Sequence, residues 1–148
     1  MSTDRDLVAA EGVAPNGDSW AVLYRAETFG ARHYVALVVN GGVQEDGAGW
    51  EITGRTEIGF AGGFTPGVGN RYLYGLVTSR IATVRAECRN ERDQSEVATE
   101  PFPAAKADDG RPLRTFVLVR PPIDDVIALV GLDGEGQVVQ RIALPGVP

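Results

Sequence analysis

Cysteine, histidine and lysine each occur once in this 148-residue chain, as Cys88, His33 and Lys106. A single cysteine excludes an intrachain disulfide and a cysteine-ligated metal site, so the fold must be held by its core alone. One histidine and one lysine leave few routes to acid–base or Schiff-base chemistry, and the expectation is a chain that is not an enzyme. No apolar run approaches the roughly 20 residues needed to cross a bilayer as a helix, so membrane insertion is not expected. The first residues, MSTDRDLVAAEG, lack a basic stretch followed by an apolar one, and no signal peptide is read there. The sequence as written is read as cytoplasmic, or as extracytoplasmic if the chain is a mature or trimmed form. A formal charge of −6 and a pI near 4.8 repel phosphate backbones, so nucleic acid is not an expected partner.

Helical signals are also scarce: no window of about 12 residues places apolar side chains at i, i+3, i+4 and i+7 between caps. What the chain has is short β-like runs broken by Gly, Pro, Asn and Asp. Leu7 to Val13, Trp20 to Thr28, His33 to Val39, Trp50 to Thr53, Tyr72 to Thr78, Ile81 to Arg89, Ser95 to Thr99, Thr115 to Arg120, Val126 to Leu132 and Gln137 to Leu144 read as strands. His33 to Val39 is nearly continuously apolar, which predicts a central strand covered on both faces. Residues 59–70, GFAGGFTPGVGN, read as a loop. So does the Pro- and Ala-rich stretch Pro101 to Pro112, and Asn40-Gly41-Gly42 reads as the end of a strand. The spacing predicts a single all-β domain over residues 1–148: an immunoglobulin-like β-sandwich of about 8–10 antiparallel strands, with a small β-barrel as the alternative.

The second half carries a further pattern. It reads YGLVTSRIATVRAEC, a polar turn, SEVATEP, a loop, RTFVLVRPP and then DDVIALVGLDGEGQVVQRIAL. Over residues 72–144 this resembles small uncharacterised actinobacterial β-sandwich proteins. Their N-terminal halves often have a glycine, a tryptophan and a short strand, as GDSWAVLYRA does here. They commonly place a Gly-rich, Cys-containing stretch where this chain has GFAGGFTPGVG, which holds no cysteine. The resemblance implies a sandwich and, in many members, an extracytoplasmic setting. It supplies no catalytic residues.

His33 lies beside a buried-looking strand with no nucleophile or orienting acid placed near it, which favours a structural role. Cys88 shares a strand face with Val84 and Ala86, the setting of an inert buried thiol. The Gly-rich segment lacks the Gly-Lys-Ser/Thr ending of a P-loop. Asp133-Gly134-Glu135-Gly136 is better read as hairpin turn chemistry than as a calcium loop, so no metal is expected. Asp124 and Asp125 follow Pro121-Pro122, where a turn is expected. Arg111, Arg114 and Arg120 flank a strand read as an edge, and either solvate it or meet an anion. Trp50, Phe60 and Phe64 are the candidates for partner contact: aromatics are frequent interface anchors, though such residues also fold back to cap a sandwich.

These observations predict a non-enzymatic module that recognises a protein partner, or associates with itself through an edge strand, and that needs no cofactor. The first alternative is a small-ligand-binding barrel with Trp20, Tyr24, Trp50, Tyr72 and Tyr74 lining a cavity. The second is a hydrolase whose site is not recognisable in the sequence.

Overall fold

The computed structural model describes residues 7–28, 31–50, 57–61, 70–107, 110–121 and 125–144; the side chains at 27, 28, 31, 32, 42–50, 61 and 93 fall outside the description. Within these bounds the chain is all-β, with twelve strands in three antiparallel sheets.

The first sheet is a meander, β1 (Leu7–Val13), β2 (Ser19–Thr28), β3 (Ala31–Val39) and β4 (Gly42–Trp50), in chain order. The second holds β5 (Ile58–Ala61), β6 (Arg71–Val77), β9 (Glu100–Lys106) and β10 (Pro112–Arg120), in the order β5-β6-β10-β9. The third holds β7 (Thr83–Cys88), β8 (Ser95–Ala98), β11 (Val126–Leu132) and β12 (Val138–Ala143), in the order β12-β11-β7-β8. Its only helical turn among the described residues is Glu91–Asp93, where the Asn90 side chain accepts from the Arg92 N–H.

Strand alternation shows how the sheets stack. Tyr72, Tyr74 and Leu76 on β6 share a core with Val22, Tyr24, Val35 and Leu37 of the first sheet. Leu73 and Val77, their neighbours along the same strand, share a second core with Val84, Ala86 and Leu129 of the third sheet. Successive side chains of a strand point to opposite faces, so the second sheet lies between the other two. β10 alternates likewise: Leu113, Val117 and Val119 face the first core, Phe116 and Leu118 the second. All seven residues of β6 are buried as a result. Each large apolar side chain fully buried there contributes about 1.5–3 kcal/mol.

The chain passes between the middle and third sheets three times, and polar side chains bind each passage. At β6 to β7, Glu57 accepts from the Thr78 hydroxyl at 2.9 Å and from Arg80 at 3.0 Å. At β8 to β9, Thr99 donates to the Ile81 carbonyl at 2.8 Å, and Arg114 reaches the Thr99 hydroxyl and carbonyl at 2.7 and 2.8 Å. At β10 to β11, buried Arg120 meets the Asp125 carboxylate at 3.1 Å and the Ser95 hydroxyl at 2.7 Å. A buried guanidinium is tolerated there because a carboxylate compensates it.

Several sequence expectations change. Residues 59–61 belong to β5, and the rest of the segment read as a loop, 62–69, lies outside the described residues. β6 approaches β5 so closely that a Cβ at Gly75 would overlap the Gly59 carbonyl oxygen, which is why glycine stands there. Residues 101–106, read as part of the Pro101 to Pro112 connection, belong to the strand Glu100–Lys106; it lies at a sheet edge, where Pro101 and Pro103 are tolerated. Asn40-Gly41 is a two-residue hairpin with φ of 50° and 81°, and Gly42 begins β4 rather than ending β3. β10 lies inside its sheet, so Arg114 and Arg120 do not solvate an edge. β3 is central within its sheet, but Tyr34, Ala36 and Val38 on its outer face are partly exposed; β6, by contrast, is buried on both faces.

Candidate functional site: the outer face of the first sheet

The register of β2 and β3 divides their side chains into two sets. Val22 pairs with Leu37 and Tyr24 with Val35, and all four face the first core. Ala21 pairs with Val38, Leu23 with Ala36 and Arg25 with Tyr34, and these six point outward. β1 adds Val8 opposite Leu23, Glu11 opposite Ala21 and Val13 opposite Ser19. The outer face therefore carries four rows of described residues across the strands: Val13 with Ser19, then Glu11, Ala21 and Val38, then Val8, Leu23 and Ala36, then Arg25 with Tyr34.

This face is apolar where a solvated sheet face is usually polar. Val8 is 51% exposed and Val13 71%. An open depression of about 540 Å³ lies over Glu11, Val13, Ala21 and Val38, and a smaller one of about 40 Å³ over Leu23, Arg25, Tyr34 and Ala36. Glu11 and Arg25 are the only charges among the described side chains of these rows, two rows apart.

The outer face of the third sheet is constructed differently. Val130, at its centre, lies between Arg85 on one neighbouring strand and Arg141 on the other. Arg85 binds Glu96 at 3.3 Å and Arg141 binds Glu87 at 2.9 Å. Ala128, Val130 and Leu132 point outward, yet they are 0%, 1% and 4% exposed. The stems of long charged side chains cover apolar surface in this way while their heads remain in water.

β1 and β12 are the longer edge strands with a single charge each. β5 and β8 have four residues each, β9 carries two prolines and Lys106, β4 carries Glu45 and Asp46, and β12 carries Arg141. Short length, proline and charge are the usual protections of a sheet edge. β1 has a bulge between Val8 and Ala10 and one charge, Glu11, and it exposes Leu7 at 43%.

Of the three predicted contact aromatics, only Phe60 has a described side chain. It is partly buried and packs on the second core. Trp50 ends β4 opposite His33, with its side chain outside the description, and Phe64 lies outside the described residues. His33 is sealed in the first sheet at 5% exposure, its Nδ1 2.8 Å from the Tyr24 hydroxyl. Tyr24 in turn stands edge-on to Phe102, with ring centroids 5.1 Å apart. Tyr24, Tyr72 and Tyr74 thus fill the first core, where the barrel alternative places them around a cavity. Burial pushes the Tyr72 hydroxyl above its ordinary pKa of 10.0; Asp18 adds to the rise and Asn70 opposes it. Cys88 is buried in the second core, with its Sγ 3.9 Å from the Ala86 carbonyl. Asp133 accepts from the N–H groups of Glu135 and Gln137, each at 2.9 Å, and Gly136 takes φ of 81°, so this acidic stretch is a turn. Asp125 is committed to Arg120, and Asp124 lies outside the described residues.

Sequence reasoning passed over Leu23, Ala36 and Val38 because they look like core residues. The signal was the two-sided apolar pattern of β2 and β3. No family model matches the chain, and no curated protein or solved structure matches it.

Proposed function

We propose that this sandwich, immunoglobulin-like in its packed antiparallel sheets, is a non-enzymatic module that recognises a protein partner through the outer face of β1, β2 and β3. The observation that carries the reading is the apolar row Val8, Leu23 and Ala36 across β1, β2 and β3, with Val8 51% exposed. Contiguous apolar surface of this kind marks interaction sites on folded proteins. The fold's relation to the small actinobacterial sandwich proteins belongs to the same proposal and rests on the strand pattern of residues 72–144. A second reading, strand addition along β1, is favoured by the exposure of Leu7, Val8 and Val13.

The test is photo-cross-linking in cells that make the chain, with a benzophenone amino acid at Ala36 or, on the opposite outer face, at Arg85. The expected result is a discrete protein adduct from position 36 and none from position 85. No adduct from 36, or equal labelling from both, refutes the reading. Labelling from Leu7 but not from Ala36 would transfer it to the strand edge.

A further inference from the structure

We infer that the first sheet is a cover that opens as one unit from the rest of the molecule and bares the aromatic inner face of the middle sheet, while β5 to β12 stay closed as a two-sheet sandwich.

Chain order is the first ground. β1 to β4 are consecutive and pair with one another in a sheet of their own, so the chain joins them to the other strands at one place, between β4 and β5. The middle and third sheets are interleaved instead. The chain passes between them three times, and at one passage Thr99 alone separates the end of β8 from the start of β9.

The division of the cores agrees with this. Val22, Tyr24, Val35 and Leu37 pack on Tyr72, Tyr74, Leu76 and Phe102 of the middle sheet. Among the described residues, no side chain of the first sheet belongs to the second core. Opening the first core therefore leaves Leu73, Val84, Phe116 and Leu129 enclosed between the other two sheets. A sandwich with a core of its own meets the ordinary condition for folding as a unit.

Polar side chains add to the contrast. Gln140 of β12 accepts from the Glu57 and Ile58 N–H groups at 2.8 and 3.1 Å, and Arg120 of β10 donates to Ser95 of β8 at 2.7 Å. These bonds tie the middle sheet to the third. Between the first sheet's β1–β2 turn and the middle sheet, Asn70 donates to Asn16 at 2.9 Å, and this bond is exposed to water. The indole N–H of Trp20, which packs on the first core, is buried without a hydrogen-bond partner. Opening hydrates it and offsets part of the cost of exposing Tyr24, Val35 and Leu37. Contiguous units of this kind open more often than the whole molecule unfolds.

Buried thiols read the two cores separately. Native Cys88, 4% exposed, lies in the second core. Val35→Cys places a thiol in the first core on the cover, and Leu76→Cys places one on the middle sheet facing it. The full chain of each variant is treated with a maleimide, and peptide mass spectrometry gives the labelling rate at each position relative to the same thiol in the denatured chain. Where rates are proportional to reagent concentration, they measure how often each core is open. Positions 35 and 76 are expected to label within about threefold of each other and at least about tenfold faster than Cys88. Adding Val84→Ala, in the second core, is expected to speed Cys88 at least about tenfold and to move positions 35 and 76 by less than about threefold, because it acts alike on the closed and opened forms. Circular dichroism confirms that each variant is folded, and Val22→Cys stands in for Val35→Cys if the latter does not fold. Labelling of Cys88 as fast as the first-core positions overturns the proposal. So does fast labelling at only one of positions 35 and 76, which is local motion of one strand. An equal response of all three positions to Val84→Ala also overturns it, because the molecule then opens as one piece.

Discussion

The two outer faces of the molecule are made from the same kind of sheet and treated in opposite ways. On the third sheet, Val130 sits between Arg85 and Arg141, each held by a glutamate, and is 1% exposed. On the first sheet, Val38 occupies an equivalent central strand and remains partly exposed. An antiparallel sheet that ends in water can shield its apolar centre with long side chains from neighbouring strands, and this chain does so on one face. On the other face Ala21, Leu23 and Ala36 are, like Val38, partly exposed.

Four substitutions measure the difference. The largest effect is expected in the sheet between the two faces. Gly75→Ala forces a Cβ into the Gly59 carbonyl, so β5 must detach or shift; a loss of about 3 kcal/mol or more in chemical denaturation, or failure to fold, is expected. Next comes a matched pair. Val130→Ala removes fully buried methyl groups and should cost about 2 kcal/mol, whereas Val38→Ala, measured at high dilution, should cost less than about 1 kcal/mol. Equal losses would erase the distinction between the faces. The smallest effect belongs to the shield itself. Glu87→Gln removes the partner of Arg141, which is 48% exposed, and should cost well under about 1 kcal/mol, with a loss that shrinks further in high salt.

Strand pattern made much of the architecture legible. Leu7–Val13 and Val126–Leu132 are strands with the bounds that alternation and turn residues indicate. The turn at Asp133 was readable because aspartate and glycine each have a definite local task there. β9 was not legible: prolines argue against a strand unless it is known to lie at an edge, and edge position is a tertiary fact. β4 was hidden by its glycines, although the Asn40-Gly41 pair before it is a strong hairpin signal. The stacking order was the deeper omission. RYLYGLV and HYVALVV look alike as apolar runs, and only packing separates the strand enclosed by two sheets from the strand enclosed by one. The candidate face was missed for that reason. A half-enclosed strand with a fully apolar sequence is indistinguishable from a core strand until its neighbours are known.

The enclosed middle sheet also bears on the order in which the molecule assembles. The first sheet is joined by hairpins between consecutive strands, so its pairings are local and inexpensive in loop entropy. β6 and β10, which lie side by side with Tyr74 opposite Val117, are separated in the chain by an excursion through β7, β8 and β9. Closing that long loop completes the sheet on which both cores depend, and long-range pairing of this kind slows folding. The meander can therefore form early but finds a surface to dock on only when the late, distant pairing is made. Until then its core-facing residues, Val22, Tyr24, Val35 and Leu37, are as uncovered as the outer face. Topology therefore favours pairing of the first sheet before its inner face is covered.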